Sequence, residues 1–557
     1  MRSAPRHLLA IAVVGVAVLT LSGCLLDPGA VPGIVNNAER RAVEVVTTSG
    51  PVAGVASPAG QAFLGIPYAA PPTGTLRWRA PQPPAPWTAV RDATRLGNIC
   101  VQNLSFNPAL GMAGGAPVVG EEDCLNLNVY APANTVATSR LPVMVWIYGG
   151  GFVFGWSGQY DPSALAQNQD VIVVTINYRT GVFGFLAHPA LDAESPARGG
   201  SGVFALLDQQ LALRWVQGNI ARFGGDPTRV TLFGESAGAF SACYQLASPG
   251  AAGLFQRAIM ESGSCTSPVS VISAADANAG GQLVAEGLGC TDPVTAIACL
   301  RNKSVSALAT AAADRLGLLG PNSWSPAYGN PVLPRRPVDA FANGTYNHMP
   351  VINGTNHDEG RLFTDLQNLA GNLVTTASYT SIIGNLFGAA APQVLVAYPV
   401  QAYASPGIAY AAVLTDAVFA CSARTFDRLL APRTSVYAYE FNDPEAVTTI
   451  PQLPLSPPIP FTTPLHAYHA SEIAYVFDTA TILADPAGFA PEQKLLSQQM
   501  QTYWGSFARS GVPKASPIWP KYNPTVDIYQ ELQPTGTAPN NTFATDHKCA
   551  FWARLGF

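Results

Sequence analysis

The chain has 557 residues, of which 48% are hydrophobic and only 12% are charged, with a formal net charge of −5. This composition indicates a globular protein and excludes disorder for most of the chain, and the absence of a basic stripe argues against a nucleic-acid partner. The length exceeds the roughly 250–300 residues at which a single core stops growing, so several domains or one core with large insertions are expected.

The N-terminus has the pattern of an export signal. Arg2 and Arg6 precede the apolar residues 8–21, a run too short to span a bilayer comfortably. Residues 21–24 (Leu-Ser-Gly-Cys) resemble the box at which bacterial lipoproteins are cleaved and acylated on cysteine. We therefore predict a lipoprotein signal peptide and export from the cytoplasm, with Cys24 as the lipidated residue.

These patterns divide the chain into three parts. Residues 1–23 are the predicted signal peptide, residues 24–42 carry several turn signals and are predicted to be a flexible tether, and residues 43–557 form the folded domain. The alternative for Cys24 is an ordinary signal peptide whose cleavage site happens to precede a cysteine. The mature protein is then either anchored to the cell membrane by lipid or secreted.

The predicted elements follow an α/β pattern. Residues 43–46 with a turn at 49–51 begin a hairpin. Residues 143–148 and 171–176 are near-continuous apolar runs, typical of strands buried on both faces of a parallel sheet. Apolar residues then recur at helical spacing over 206–223. Alternation of strand, helix and strand predicts a large, mostly parallel central sheet with helices on both faces and sizeable insertions.

Ser236 lies within residues 234–238 (Gly-Glu-Ser-Ala-Gly), directly after the apolar residues 230–233. A strand that turns at Gly-x-Ser-x-Gly and continues as a helix holds the serine in a strained bend with its hydroxyl above the sheet. Glycines suit the flanking positions because a Cβ there would collide with a neighbouring strand or helix. A chance glycine-rich turn is the alternative, since the chain has 51 glycines. The pentapeptide therefore needs support from partners elsewhere in the chain.

A serine nucleophile in such a bend is followed along the chain by an acidic residue and then by a histidine. Asp358 and Glu359 both qualify as the acid, because they follow the strand-like residues 351–352. The histidines further along are His466, His469 and His547. Spacing does not choose among them, so the residues alone leave both the acid and the histidine open.

Eight short motifs are spread from about residue 43 to the C-terminus. They are residues 65–69 (Gly-Ile-Pro-Tyr-Ala), 122–130 (Glu-Asp-Cys-Leu-Asn-Leu-Asn-Val-Tyr), 148–152 (Tyr-Gly-Gly-Gly-Phe), 223–227 (Phe-Gly-Gly-Asp-Pro), 234–238, 358–360 (Asp-Glu-Gly), 469–473 (His-Ala-Ser-Glu-Ile) and 549–552 (Cys-Ala-Phe-Trp). With these motifs the chain resembles the type-B carboxylesterases, the carboxylesterase/cholinesterase family of the α/β-hydrolase fold. The combination is very specific, and it implies an α/β-hydrolase fold and the hydrolysis of carboxylic esters.

Carried over position by position, the resemblance implies Ser236 as nucleophile, Glu359 as acid and His469 as base. Asp358 is then a supporting residue of its loop, and His466 is either a bystander in the same loop as His469 or a contact behind the catalytic residues. The backbone N–H groups that correspond to the oxyanion hole are those of Gly150, Gly151 and Ala237. Consecutive glycines suit this role because a side chain would block the N–H groups from the substrate oxygen. The resemblance implies no cofactor and no metal.

Cysteines other than Cys24 number eight, an even count that suits four disulfides in an exported protein. Three family pairings correspond to Cys100–Cys124, Cys290–Cys299 and Cys421–Cys549, which leaves Cys243 and Cys265 as a fourth pair. The loop closed by the first pair contains no tryptophan, whereas the choline pocket of a cholinesterase uses an indole there. It is also short for the lid of an interfacial lipase.

We therefore predict a serine hydrolase whose partner is a small-molecule ester with a short-to-medium acyl chain, and which meets the membrane only through Cys24. One alternative is an envelope lipase for long acyl chains. The other is a non-catalytic binding module of the same fold, against which the intact Ser236, Glu359 and His469 argue strongly.

Overall fold

The computed structural model describes residues 39–103, 118–194, 200–267, 271–312, 324–369, 371–448, 464–481 and 483–556. The predicted signal peptide, Cys24 and most of the predicted tether lie outside these residues. So does most of the loop between Cys100 and Cys124 on which the arguments about a choline pocket and a lid depend.

The described residues form seventeen strands. In chain order they are β1 (Arg41–Val46), β2 (Pro51–Ser57), β3 (Gly60–Pro67), β4 (Arg91–Asp92), β5 (Gln102–Asn103), β6 (Val118–Val119), β7 (Asn126–Ala131), β8 (Leu141–Ile147), β9 (Ile172–Ile176), β10 (Gly225–Glu235), β11 (Arg257–Glu261), β12 (Ile272–Ser273), β13 (Ala327–Tyr328), β14 (Val351–Asn356), β15 (Val436–Phe441), β16 (Tyr529–Leu532) and β17 (Ala538–Asn540).

One large sheet has the strand order β1-β2-β3-β7-β9-β8-β10-β11-β14-β15-β16-β17, with β4 beside β2. The strands from β9 to β16 along this order pair in parallel. The remaining neighbours on this path are antiparallel, including the hairpin of β1 and β2 that the sequence predicts. The predicted large, mostly parallel sheet is confirmed.

The described α-helices flank this sheet. They are α1 (Ser163–Gln169), α2 (Gly181–Phe185), α3 (Pro189–Glu194), α4 (Phe204–Asn219), α5 (Ala237–Ala247), α6 (Ala274–Gly287), α7 (Ala296–Arg301), α8 (Val305–Ala311), α9 (Pro337–Asn343), α10 (Gly360–Leu369), α11 (Thr376–Phe387), α12 (Ala391–Ala397), α13 (Pro406–Leu414), α14 (Cys421–Leu430), α15 (Ile473–Phe477), α16 (Pro491–Ser510), α17 (Phe543–Asp546) and α18 (Cys549–Leu555).

Helices cover both faces of the parallel strands, which explains why those strands are apolar along their whole length. α4 and α5 pack together on one face, where α5 contacts β8, β10 and β11. On the other face α16 contacts β8 and β10 and packs against α1 and α15. Every residue of β9 is buried, as is every residue of β8 after the first. A strand buried on both sides has no solvent face, so its sequence does not alternate.

The structure contains four disulfides, which join Cys100 to Cys124, Cys243 to Cys265, Cys290 to Cys299 and Cys421 to Cys549. These are the pairs expected from the sequence, including the pair that was left over. Stable disulfides form in oxidising compartments, so their presence indicates an exported chain.

Removal of the Cys421–Cys549 disulfide is expected to destabilise the fold more than removal of the Cys290–Cys299 disulfide. The two bonds close sequence separations of 128 and 9 residues. Loop-closure entropy gives a stabilisation of about 5 kcal/mol for the long loop and about 2.5 kcal/mol for the short one. Urea unfolding of the two Cys→Ser double variants measures both losses. Equal losses would contradict the entropic explanation.

Candidate active site

Ser236 occupies a strained bend between β10 and α5. Its backbone has φ 53° and ψ −121°, a region that residues other than glycine rarely adopt. A Cβ on Gly234 or Gly238 would lie 2.5 or 1.9 Å from the carbonyl oxygen of Ile147 on β8, so both positions require glycine. Strain of this kind persists where the surrounding structure imposes it, and it is concentrated at functional sites.

The other candidate residues gather at the same edge of the sheet. β8 is followed by Gly150 and Gly151, β10 by Ser236, and β14 by Glu359, while His469 lies in the connection between β15 and α15. These four strands belong to the parallel part of the sheet, and so their carboxyl ends share one edge. Residues far apart in the chain are thereby brought together.

His469 and Glu359 form a buried pair. Nδ1 of His469 lies 2.5 Å from Oε2 of Glu359, and the two residues are 5% and 0% exposed. The other carboxylate oxygen of Glu359 accepts hydrogen bonds from Thr355 Oγ1 at 2.7 Å and from the Asn356 N–H at 2.8 Å. Because the carboxylate is held from both sides, it fixes the orientation of the imidazole ring.

Nε2, on the opposite side of the same ring, faces the serine bend. It lies 3.1 Å from Oε1 of Glu235, the residue directly before Ser236. The rings of Phe363 and Phe419 lie against the imidazole, with centroid distances of 4.8 and 4.9 Å. These rings shield the histidine from water, which strengthens its electrostatic contact with Glu359.

The competing candidates from the sequence lie elsewhere. Asp358 pairs with Arg361 at 2.7 Å and with His357 at 3.1 Å. His466 is half-buried, and its Nδ1 lies 2.7 Å from the Pro444 carbonyl oxygen. His547 is buried between two other carboxylates. Of the two acids and three histidines that spacing left open, the structure thus joins Glu359 to His469.

The glycine-rich turn after β8 lies against the serine bend. Gly150 and Gly151 have φ values of 98° and 58°, and a Cβ on Gly149 would lie 3.0 Å from the Cβ of Ser236. Within the described part of the chain, no residue accepts a hydrogen bond from the N–H of Gly150 or Gly151. Ala237 is the first residue of α5, so its N–H has no partner within the helix. Three backbone donors are therefore available next to Ser236.

Three further glutamates, which the sequence did not single out as a group, are buried around this pair. Burial, with added repulsion from Glu359 and Glu261, raises the pKa of Glu235 well above its usual range. Burial is also the first cause of the raised pKa of Glu472, followed by Glu235 and Glu359. The pKa of Glu261 is raised by burial to about 8. The protonated forms are favoured, so the cluster does not surround Glu359 with three more negative charges.

Glu472 also has a positioning contact. It lies three residues after His469, and its Oε2 accepts a hydrogen bond from Asn356 Nδ2 at 2.5 Å. The same amide donates to the Tyr468 carbonyl oxygen at 2.8 Å. The end of β14 is thereby tied to the loop that carries His469. In the sequence Glu472 belongs to the same five-residue motif as His469, and this proximity was the signal that could have identified Glu472 as part of the site.

Replacement of Glu261 by glutamine is expected to make the protein more stable at alkaline pH. A pKa raised from 4.5 to about 8 contributes stability that is fully present below pH 4.5 and is lost as the pH rises through 8. The loss amounts to about 1.4 kcal/mol per pH unit across that window. Glutamine stays neutral and can still accept the 2.7 Å hydrogen bond from Trp504 Nε1. Thermal unfolding at pH 5 and pH 9 should show a larger gain for Glu261→Gln at pH 9, and identical pH profiles would refute the assignment.

A large mixed sheet with helices on both faces and a serine bend at its carboxyl edge defines the α/β-hydrolase fold. Residues 41–552 match the model of the Carboxylesterase family, and the chain belongs to this family. It is therefore a serine hydrolase that cleaves carboxylic esters.

Relatives of known activity agree with this class. The chain is 38% identical to a fumonisin B1 esterase of Sphingopyxis macrogoltabida over 492 residues, which cover 86% of this chain and 84% of that protein. It is 34% identical to the cocaine esterase of Homo sapiens over 529 residues, covering 89% and 87% of the two chains. Among solved structures, a PNB esterase is similar with a TM-score of 0.73 and 32% identity, covering 91% of this chain and 99% of that one.

Proposed function

We propose that ester hydrolysis proceeds through an acyl-enzyme on Ser236. The observation that carries this proposal is the His469–Glu359 contact of 2.5 Å, at the sheet edge where the serine bend is formed. Glu359 holds the proton of the imidazole on Nδ1, which leaves Nε2, on the side of the serine bend, unprotonated and able to remove the proton of Ser236. The alcohol of the ester leaves first, and water then releases the acid from the serine.

The proposed oxyanion hole consists of the N–H groups of Gly150, Gly151 and Ala237. Its support is the approach of the preceding Gly149 to Ser236, the N–H groups of Gly150 and Gly151 that no described residue accepts from, and the start of α5 at Ala237. Each donor that points to the developing oxyanion contributes about 3–4 kcal/mol to transition-state stabilisation in serine hydrolases. These donors act on the transition state and so raise kcat rather than substrate affinity.

A fluorophosphonate probe tests the nucleophile directly. The native protein should acquire one adduct, located by peptide mass spectrometry on the segment that contains Ser236. Heat-unfolded protein is the control and should remain unlabelled, because labelling requires the activated serine. An adduct on another serine would overturn the assignment of Ser236.

We propose that the substrates are small-molecule esters with short-to-medium acyl chains. The relatives named for fumonisin B1 and cocaine support a small-molecule substrate. Rates across a series of nitrophenyl esters, from acetate to palmitate, test the chain length. We expect kcat/KM to be highest among the shorter acyl groups and to fall for the long ones.

A lipase acting on long acyl chains is the second candidate, and one surface feature favours it. Residues 366–415 contain no Asp, Glu, Lys, Arg or His. Leu373, Leu386 and Val396 from this stretch are exposed. The helices of the stretch pack in one hydrophobic cluster with Phe363, and the ring of Phe363 lies against His469. An uncharged surface beside the site suits contact with lipid. A steep rise of activity above the concentration at which a substrate forms micelles would support this candidate, and a hyperbolic dependence would exclude it.

We further propose that residues 1–23 are removed as a signal peptide and that a lipid on Cys24 holds the domain of residues 43–557 outside the cytoplasmic membrane through the tether of residues 24–42. The junction at residues 21–24 and the match of the family model from residue 41 support this division. Two or more acyl chains give stable anchoring, whereas one gives only marginal binding.

The anchor is tested by fractionation of a bacterial host that produces the full chain. The wild-type protein should enter the detergent phase with lipid on its N-terminal peptide, whereas Cys24→Ala should block lipid attachment. A soluble wild-type protein with an unmodified N-terminus would refute the anchor and leave the esterase assignment untouched.

A further inference from the structure

Outside the serine site, three potential metal ligands converge where β14, β15 and the C-terminal helices meet. They are His357, Glu440 and His547, and their ligand atoms all lie within 4.8 Å of one another. His357 directly follows β14, and Glu440 belongs to the neighbouring strand β15. His547 lies between α17 and α18, close to the C-terminus. The tertiary fold, rather than a local sequence motif, assembles this group.

His547 is held in the orientation of a metal ligand. Its ring is buried, with 3% exposed, and its Nδ1 lies 2.7 Å from Oδ1 of Asp416. The opposite nitrogen, Nε2, lies 2.7 Å from Oε1 of Glu440. Histidine ligands usually donate their second N–H to a carboxylate, which fixes the ring and makes it a better donor to the metal. Asp416 occupies that position here.

His357, on the solvent-exposed side of the group, also has a carboxylate beside its Nδ1. Its Nδ1 lies 3.1 Å from Oδ2 of Asp358, which leaves Nε2 as the nitrogen available for an ion. The centroids of the His357 and His547 rings are 5.4 Å apart. The His357 side chain is 39% exposed, so an ion can reach the group from solvent on this side.

Two imidazoles and one carboxylate form a donor set that zinc favours, with a fourth position left for solvent. Zinc bonds of about 2.0–2.1 Å in a tetrahedron place ligand atoms about 3.3 Å apart. The observed group brackets this value, with 2.7 Å between His547 and Glu440 and no separation above 4.8 Å. Small side-chain rotations therefore suffice to accommodate an ion.

We propose that His357, Glu440 and His547 bind one zinc ion. The ion takes the place of the proton between Nε2 of His547 and Glu440, and that proton leaves to solvent. Zinc then connects the C-terminal segment to two strands of the parallel sheet, close to the Cys421–Cys549 disulfide. Its role is structural, because none of the three ligands belongs to the proposed ester-cleaving group.

The test uses the purified chain stripped of metal by a chelator and then titrated with zinc chloride. Isothermal titration should give one site per chain. Zinc at a hundredfold excess over its Kd should raise Tm by about 2–3 °C, as expected for a ligand that binds only the folded state of a chain of this size. Cobalt chloride should produce the visible bands of a four-coordinate Co²⁺ ion.

His357→Ala is the informative variant, since the side chain is partly exposed and its removal should not prevent folding. It should lose the cobalt bands and bind zinc at least a hundredfold more weakly. His348→Ala is the matched control and should bind like the wild type, because it removes an exposed histidine that stacks on Tyr346 and contacts the Gly344 carbonyl oxygen, away from the group. Absence of stoichiometric zinc binding in the wild type would show that a proton alone occupies the group. Undiminished binding in His357→Ala would show that zinc binds elsewhere on the chain, and either result would overturn the proposal.

Discussion

Alanine in place of Ser236 is expected to reduce kcat for nitrophenyl esters by about 10⁵–10⁶-fold. The substitution removes the only atom that forms the proposed acyl bond, and the members of such a group act as a unit. The backbone strain at Ser236 is imposed by its neighbours, so alanine should adopt the same bend and the protein should fold normally. Steady-state rates and the thermal unfolding curve of the purified variant provide the measurement.

Ser264→Ala is the matched control for this experiment. Ser264 is also buried, and its hydroxyl has no hydrogen-bond partner among the described residues. Its removal should change the rate by less than a factor of two or three. Near wild-type hydrolysis by Ser236→Ala would mean that another residue is the nucleophile.

Glutamine in place of Glu359 is expected to reduce kcat by about 10⁴-fold, because an amide imposes the wrong imidazole tautomer. Thr355 and Asn356 both donate to Oε1 of Glu359, so the amide oxygen will take that position. The NH₂ group then faces Nδ1 of His469, which must carry its proton on Nε2 instead. A histidine in that form cannot accept the proton of Ser236.

Asp358→Asn decides between the two acids that spacing in the sequence left open. Asp358 is the adjacent carboxylate but pairs with Arg361 and His357. Its replacement should lower kcat less than tenfold and should not change the pH at which activity is half-maximal. If Asp358→Asn lowered kcat more than Glu359→Gln does, the acid that orients His469 during catalysis would be Asp358 rather than Glu359.

The strands and helices with strong local patterns were predictable. Residues 143–148 were expected as a strand and form β8, and residues 206–223 were expected as a helix and form α4 followed by a 3₁₀ turn. The helical segment ends at Gly224, which has a left-handed conformation that suits glycine. In these segments the apolar pattern, the turn residues and the final packing agree.

The contacts at the site were not predictable from spacing, because they are long-range. Glu359 and His469 are 110 positions apart, and nothing local distinguishes His469 from His466. Only the family motifs pointed to this pair. The group of His357, Glu440 and His547 was missed for the same reason, since its members belong to three separate segments and match no local ligand spacing.

The order of the strands in the sheet also bears on how the chain folds while it is being made. Among the described strands of the main path, only β8 and β9 exchange places, and the others lie side by side in the order of synthesis. Apart from β8, which pairs only with the later strands β9 and β10, each new strand can add to an edge that already exists, so the sheet can grow as the chain emerges. The Cys421–Cys549 disulfide differs from this stepwise growth of the sheet, because Cys549 emerges 128 residues after Cys421. The other three disulfides have both of their cysteines before residue 300, so this bond is the last of the four that can close, after nearly the whole chain has emerged.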